Sequence, residues 1–179
     1  MVAVKVSTVV HVGIKVDMEI HNFSDIAKLF KVLKNTLKKK LNIGYDEYFK
    51  HREVVRMFLD VDKPDDMPEN KIIDISEIEY YFRAILTELF EFPRLKIVVL
   101  TSTEAVDKYR IYTNIAAPLK LCSRIADLLR HKLNNHNIHS KCVDLTPYSS
   151  GHLRLPMSFK VSPTTKNIAY RYYKTSKYE

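Results

Sequence analysis

The sequence predicts an α+β fold: a mixed or antiparallel sheet with helices packed on it. β-rich runs interleave with stretches of helical periodicity in the order β-α-β-α-β-β-α-β. Two of those runs, Leu95–Thr103 and Lys108–Ile115, are separated only by Glu104–Asp107, which is short enough for a hairpin and therefore for an antiparallel pair. A length of 179 residues, 46% of them hydrophobic, fits one domain with its own core, spanning residues 1–179, and no repeat or linker marks a second.

The elements follow in order. Met1–Ile20 alternates valines with polar residues and reads as a strand or two. Ser24 is positioned to cap a helix over Asp25–Leu41, with Ala27, Phe30, Leu33, Leu37 and Leu41 on one face and Lys34, Lys38, Lys39 and Lys40 in its last turns. Gly44 marks a break before a strand that ends at Asp62. The capping-box pattern Ser76-Glu77-Ile78-Glu79 starts a second helix to about Phe92, with Ile78, Tyr81, Phe82, Ile85, Leu89 and Phe92 inward and Pro93 as the stop. After the hairpin, Leu119–Leu133 is a third helix with Cys122, Ile125, Ala126, Leu129 and Leu133 inward. Asn134–His139 is turn-like, and Asp144–Lys160 reads as an irregular segment leading into a strand. The tail Ala169–Glu179 alternates Tyr170, Tyr172, Tyr173 and Tyr178 with Arg171, Lys174 and Lys177, a pattern suited to stacking on bases along a charged strand and equally to a plain edge strand.

Charge and composition narrow the function. A formal net charge of +8 points to a polyanionic partner, with nucleic acid the default, because neutralising phosphates releases counterions. Three glycines and no GxxxxGK[ST] or GxGxxG pattern exclude a P-loop or dinucleotide enzyme. Two cysteines, Cys122 and Cys142, fit a reduced intracellular protein. Cys142 has no finger-like spacing to His136, His139 or His152, which argues against zinc. No apolar run approaches the roughly 20 residues that span a bilayer, and no signal-peptide pattern opens the chain, so no membrane partner is expected.

The stretch Val54–Asp62 carries the chemistry. Side chains alternate faces along a strand, so Asp60 and Asp62 project to one side and Leu59 and Val61 to the other. Two close carboxylates repel, and a hard divalent ion relieves the conflict because it prefers oxygen ligands. The plain alternative is a strand running into the solvated acidic turn Asp62-Lys63-Pro64-Asp65-Asp66. Further along, Asp144 ends a short apolar stretch and is followed by Arg154 and Lys160. Between them, Lys108, Arg110, Tyr112 and Asn114 share one face of a strand, a candidate triphosphate-binding face or simply a solvent face.

Taken together the pattern resembles the archaeo-eukaryotic primase superfamily, especially the primases of large DNA viruses and related primase-polymerases. Arg56-Met57-Phe58-Leu59-Asp60-Val61-Asp62 is similar to the family's hydrophobic-Asp-hydrophobic-Asp motif, whose carboxylates bind the catalytic metals. Val143-Asp144, Tyr148 and Leu153-Arg154-Leu155-Pro156 with Ser158 and Lys160 resemble its last motif, where the aspartate completes the metal site and the basic residues lie near phosphates. The middle motif departs. The family has a basic residue followed by Ser-x-His, whereas here Tyr112 and Asn114 take those places, or Arg110 and Tyr112 if the alignment starts from Lys108. Neither supplies a histidine, so nucleotide binding is weakened, or taken over by Lys108 or Arg110, or lost with activity.

The resemblance spans Val54 to Lys160 and implies a primase-polymerase (RRM-like) catalytic core. It implies a DNA primase catalytic subunit that makes short primers on a single-stranded DNA template by metal-dependent nucleotidyl transfer. Asp60, Asp62 and Asp144 would be the catalytic metal ligands for two Mg²⁺ or Mn²⁺ ions. Lys108, Arg110, Tyr112, Asn114, Arg154 and Lys160 would bind nucleoside triphosphate. A helicase or primase accessory subunit is the further partner this implies, and the place of action is the site of DNA replication, host nucleus or cytoplasm for a viral protein. The alternative is an inactive primase-like, nucleic-acid-binding accessory subunit. A metal-dependent nuclease is the weaker third reading, lacking Glu-x-Lys pairing or His clusters.

Overall fold

The computed structural model describes residues 2–11, 15–23, 26–38, 43–49, 52–90, 94–102, 107–154 and 173–175. The fold is α+β, with antiparallel sheets and packed helices. The chain forms two compact units, residues 1–51 with 151–173 and residues 52–150 with 174–179.

In the first unit the valine-rich N-terminus is two strands, β1 (Val2–His11) and β2 (Lys15–Phe23), paired antiparallel from Val2↔Phe23 to His11↔Lys15 with an irregularity at Val9/His11. Helix α1 covers Ile26–Lys38 and buries Leu29 and Leu33, one helical turn apart. Ala27, expected inward, is exposed, because the buried stripe runs through Leu29 instead. The expected cap Ser24, and Lys39, Lys40 and Leu41, lie outside the described residues. Gly44, read as a break, sits inside a strand, β3 (Ile43–Tyr48), opposite Ser7 of β1. The sheet order is β2-β1-β3-β8, where β8 (His152–Arg154) pairs Asp46↔Arg154.

The second unit holds the sheet β7-β4-β6-β5-β9. Its strands are β4 (Val55–Asp62), β5 (Ile97–Ser102), β6 (Lys108–Ala117), β7 (Val143–Asp144) and β9 (Tyr173–Thr175). The expected hairpin is present as the antiparallel β5–β6 pair, running Ile97↔Thr113 to Thr101↔Tyr109. Helix α2 (Ile75–Leu89) is capped by Asp74, not Ser76: the Asp74 carboxylate accepts from the N–H groups of Ser76 and Glu77. It stands one residue before the helix, where its side-chain oxygen reaches those unpaired N–H groups. Ile78, Phe82, Ile85 and Leu86 are the buried stripe, while Leu89 is exposed at the last turn and Phe92 lies outside the described residues. Helix α3 (Leu119–Asn135) buries all five residues expected of it and packs against α2 and β4. Asp144–Lys160 resolves into β7, the short helix α4 (Thr146–Ser150) and β8, with 155–172 outside the described residues.

The core of this unit lies on the odd-numbered face of β4, where Leu59 and Val61 are fully buried with Ile111 of β6. The β4–β6 ladder is interrupted once. Pairing runs Arg56↔Ala116 and resumes at Phe58↔Tyr112, so Thr113, Asn114 and Ile115 stand opposite Met57 alone. The Thr113 hydroxyl fills the gap by donating to the Met57 carbonyl (3.3 Å) and accepting from the Ile115 N–H (3.1 Å). Two backbone groups freed by the bulge are thus satisfied by one side chain.

Burial also sets a pH dependence. The Cys122 and Cys142 thiols are pushed up to about 11 by burial. The Tyr148 phenol is driven the same way by the same cause. Because the two thiols hold their protons more tightly folded than unfolded, the stability they contribute is present below pH 9.0 and is lost as pH rises towards 11. Urea unfolding midpoints are therefore expected to fall as pH rises across that window. The opposite slope there, measured on the same denaturation curves, contradicts this account.

Candidate functional site

The site is a consequence of register. Along β4, Phe58, Asp60 and Asp62 share the even face. Strand β6 places Arg110 directly opposite Asp60 and Lys108 directly opposite Asp62. On the other side, β7 places Asp144 directly opposite Asp60. Opposed residues in antiparallel strands point to the same face with Cβ atoms about 5 Å apart. Asp144, Asp60 and Arg110 therefore form one row across three strands, and Asp62 and Lys108 form the next.

Each carboxylate of the site has an internal partner. Asp60 Oδ1 accepts from Arg110 Nε (3.2 Å) and Nη2 (3.1 Å). Arg110 is only 1% exposed and Asp60 7%, so this is a buried ion pair. Lys108 Nζ donates to Asp62 Oδ2 at 2.9 Å in a half-buried pair. Asp144 Oδ1 accepts from the Thr146 N–H at 2.8 Å, turning the chain from β7 into α4. Three carboxylates and two cations leave this group one negative charge.

Neighbouring residues fix the geometry. Tyr148 of α4 stacks on Phe58 at 4.7 Å and its hydroxyl donates to the Phe58 carbonyl, holding β4 beyond the end of the two-residue β7. At the other end, Asp107 occupies the left-handed region (φ 57) just before Lys108. Its carbonyl accepts from the Lys63 N–H (3.1 Å) and its carboxylate from the Ile73 N–H (3.3 Å), so the loop after Asp62 is tied to the start of β6. Lys63 Nζ donates to the carbonyls of Glu69 and Lys71, closing that loop on itself. The acidic turn is paired as well: Asp66 meets Lys141 and His139, and the Lys141 hydrogen bond holds its carboxyl below the usual range.

The expected site residues divide into three sets. Asp60, Asp62, Asp144, Lys108 and Arg110 are brought together. Tyr112 lies on the same face, half-buried, opposite Phe58. Asn114, expected to donate to phosphate, spends its amide internally: Oδ1 accepts from the Lys96 N–H (2.8 Å) and Nδ2 donates to the Arg94 carbonyl (2.9 Å). It stitches β6 to the start of β5. Arg154 belongs to β8 in the other unit, and Lys160 lies outside the described residues. Sequence reasoning passed over Arg56 and Lys96, which line a groove on this face, although the parity of Arg56 with Asp60 and Asp62 was a usable signal.

Whether these residues suit a divalent ion turns on their unused oxygens. Among the described residues no group of three or more His, Cys, Asp and Glu side chains converges as a metal cage. Yet the bonds to Asp60 and Asp144 all fall on Oδ1, leaving their Oδ2 atoms outside the hydrogen bonds among the described residues. Two carboxylates on adjacent strands, each with an oxygen to give, fit the one or two protein ligands that Mg²⁺ usually takes.

The buried pair makes a stability prediction. Removing one partner of a buried ion pair costs about 3–5 kcal/mol because the other charge stays in low dielectric. Asp60→Ala is therefore expected to lose that much in urea unfolding, whereas Asp60→Asn, which keeps an acceptor for Arg110, loses less. Equal stability of Asp60→Ala and wild type would contradict this account of the buried pair.

No protein-family model matches the chain and no curated protein matches it significantly, so the functional reading rests on the geometry of this sheet face.

Proposed function

We propose that this chain is the catalytic subunit or domain of a DNA primase, joining nucleotides on a single-stranded DNA template. The observation that carries the reading is the cross-strand register Asp144↔Asp60, with Asp62 two residues along the same face. Asp60 and Asp144, 84 positions apart in the chain, are brought directly opposite each other, which supports the reading of a primase-polymerase core. In the reaction a 3′-hydroxyl attacks the α-phosphate of a nucleoside triphosphate; the new P–O bond forms as the bond to the β-phosphate breaks, and pyrophosphate leaves. Asp60, Asp62 and Asp144 would hold the Mg²⁺ or Mn²⁺ ions, which when bound neutralise the triphosphate and make the hydroxyl more acidic. Lys108, half-buried, stands where it can turn from Asp62 to a phosphate, while Arg110, buried against Asp60, holds that carboxylate in place. A helicase or accessory subunit is the further partner of such an activity.

A second reading, an inactive primase-like accessory subunit that binds nucleic acid, is favoured by one observation: Asp60 and Asp62 are already bonded to Arg110 and Lys108. No histidine stands in the middle motif to offset this.

Primer synthesis on single-stranded DNA, with Mg²⁺ or Mn²⁺ and labelled ribo- or deoxyribonucleoside triphosphates, separates the two. Wild-type protein is expected to make short products. Asp62→Asn, at a half-buried pair where the fold tolerates change, is expected to lose roughly 100-fold or more in rate. Wild-type rates in that variant would falsify the polymerase reading, and strand binding without incorporation under any metal would favour the accessory one.

A further inference from the structure

The bulge in β6 opens a groove of about 340 Å³ on the same sheet face as the charged row, next to it along the strands. Arg56 of β4, Tyr112 of β6, and Lys96 and Val98 at the start of β5 line it. Tyr112 and Val98 are directly opposed in the β5–β6 ladder and so make one continuous floor. Val98 is 42% exposed, a large apolar side chain left open to solvent beside a half-buried aromatic ring. Arg56 and Lys96 are exposed on the two strands flanking Tyr112, and no Asp or Glu is among the described residues that line the groove. A flat aromatic and apolar floor between two cations matches a nucleic-acid strand, with bases on the floor and phosphates at the rims.

The polar groups of the groove add a second clue. The Thr113 hydroxyl is spent on the bulge and the Asn114 amide on the backbone of Arg94 and Lys96. Both groups already make hydrogen bonds to the backbone, which reduces what they offer to base edges. What they leave on offer is stacking and charge, which do not distinguish one base from another. At the low end of the ~300–1,000 Å³ range of ligand sites, the groove takes a segment of chain rather than a folded partner.

We propose that this groove binds single-stranded nucleic acid without sequence preference, through Arg56 and Lys96 to phosphates and Tyr112 with Val98 to a base. The identification of that strand as the template rests on the polymerase reading; the binding itself requires neither metal ion nor nucleoside triphosphate.

The test is fluorescence anisotropy of the full chain with labelled oligo-dT and oligo-dA in EDTA over a series of salt concentrations. The double variant Arg56→Ala/Lys96→Ala, at exposed positions, is expected to bind more weakly and to reduce the salt slope by about 1.4, from about 0.7 per phosphate contact on a single strand. Tyr112→Leu is expected to weaken both oligonucleotides roughly 5- to 150-fold with the slope unchanged. No binding by wild type, an unchanged slope in the double variant, a strong preference between dT and dA, or displacement of the strand by free nucleoside triphosphate in EDTA would each overturn the proposal. Circular dichroism melts of the variants separate loss of contact from loss of fold. Strand binding through the groove with no primer synthesis would sink only the polymerase reading, and synthesis with an unchanged slope would sink only the groove.

Discussion

The row Asp144–Asp60–Arg110 is the constraint on which the second unit depends, because it fixes β7, β4 and β6 against one another. At an effective dielectric of about 20, unit charges ~5 Å apart interact by about 3 kcal/mol. The Arg110 nitrogens lie closer than that to Asp60 Oδ1, at 3.1 and 3.2 Å, so their attraction for this carboxylate is larger still. A slip of one residue in β4 would carry Asp60 to the face now held by Leu59 and Val61, both fully buried, and bring those apolar side chains to the guanidinium. Core and charged row thus specify the same register from opposite faces of one strand. The tie from Asp107 to Ile73 and Lys63, and the hydroxyl of Tyr148 on Phe58, hold the two ends of that arrangement.

Much of this was legible in the sequence where periodicity was long and regular. The five inward residues of α3 were readable because seventeen residues of helix give several turns of repeat. The shared face of Asp60 and Asp62 followed from alternation alone. What could not be read were features decided by partners distant in sequence. Gly44 looks like a break until β1 supplies the strand on which Ser7 opposes it. Asp74, rather than Ser76, caps α2 because the helix begins two residues earlier than the capping-box pattern implies. The fate of Asn114 is similar: its side chain suits a phosphate, but the bulge delivers it to the backbone at the start of β5.

The even face of the sheet divides its labour along the strands. At one end the charges are paired internally and largely buried, so the arrangement is held by the fold before any ligand arrives. At the other end the cations are exposed and the polar side chains are committed to the backbone. The first is suited to chemistry at a fixed point, the second to adaptable grip. The overall charge of +8 adds a positive field around both.

The bulge at Thr113–Ile115 adds two residues to β6 relative to β4, an even number. Because side chains alternate with a period of two, a dipeptide can be inserted or deleted there without inverting which residues face the core and which face the carboxylates. A change of a single residue would exchange the two faces for everything beyond it. The chain length of β6 is therefore quantised in steps of two at this point, and such a step leaves the charged row in phase.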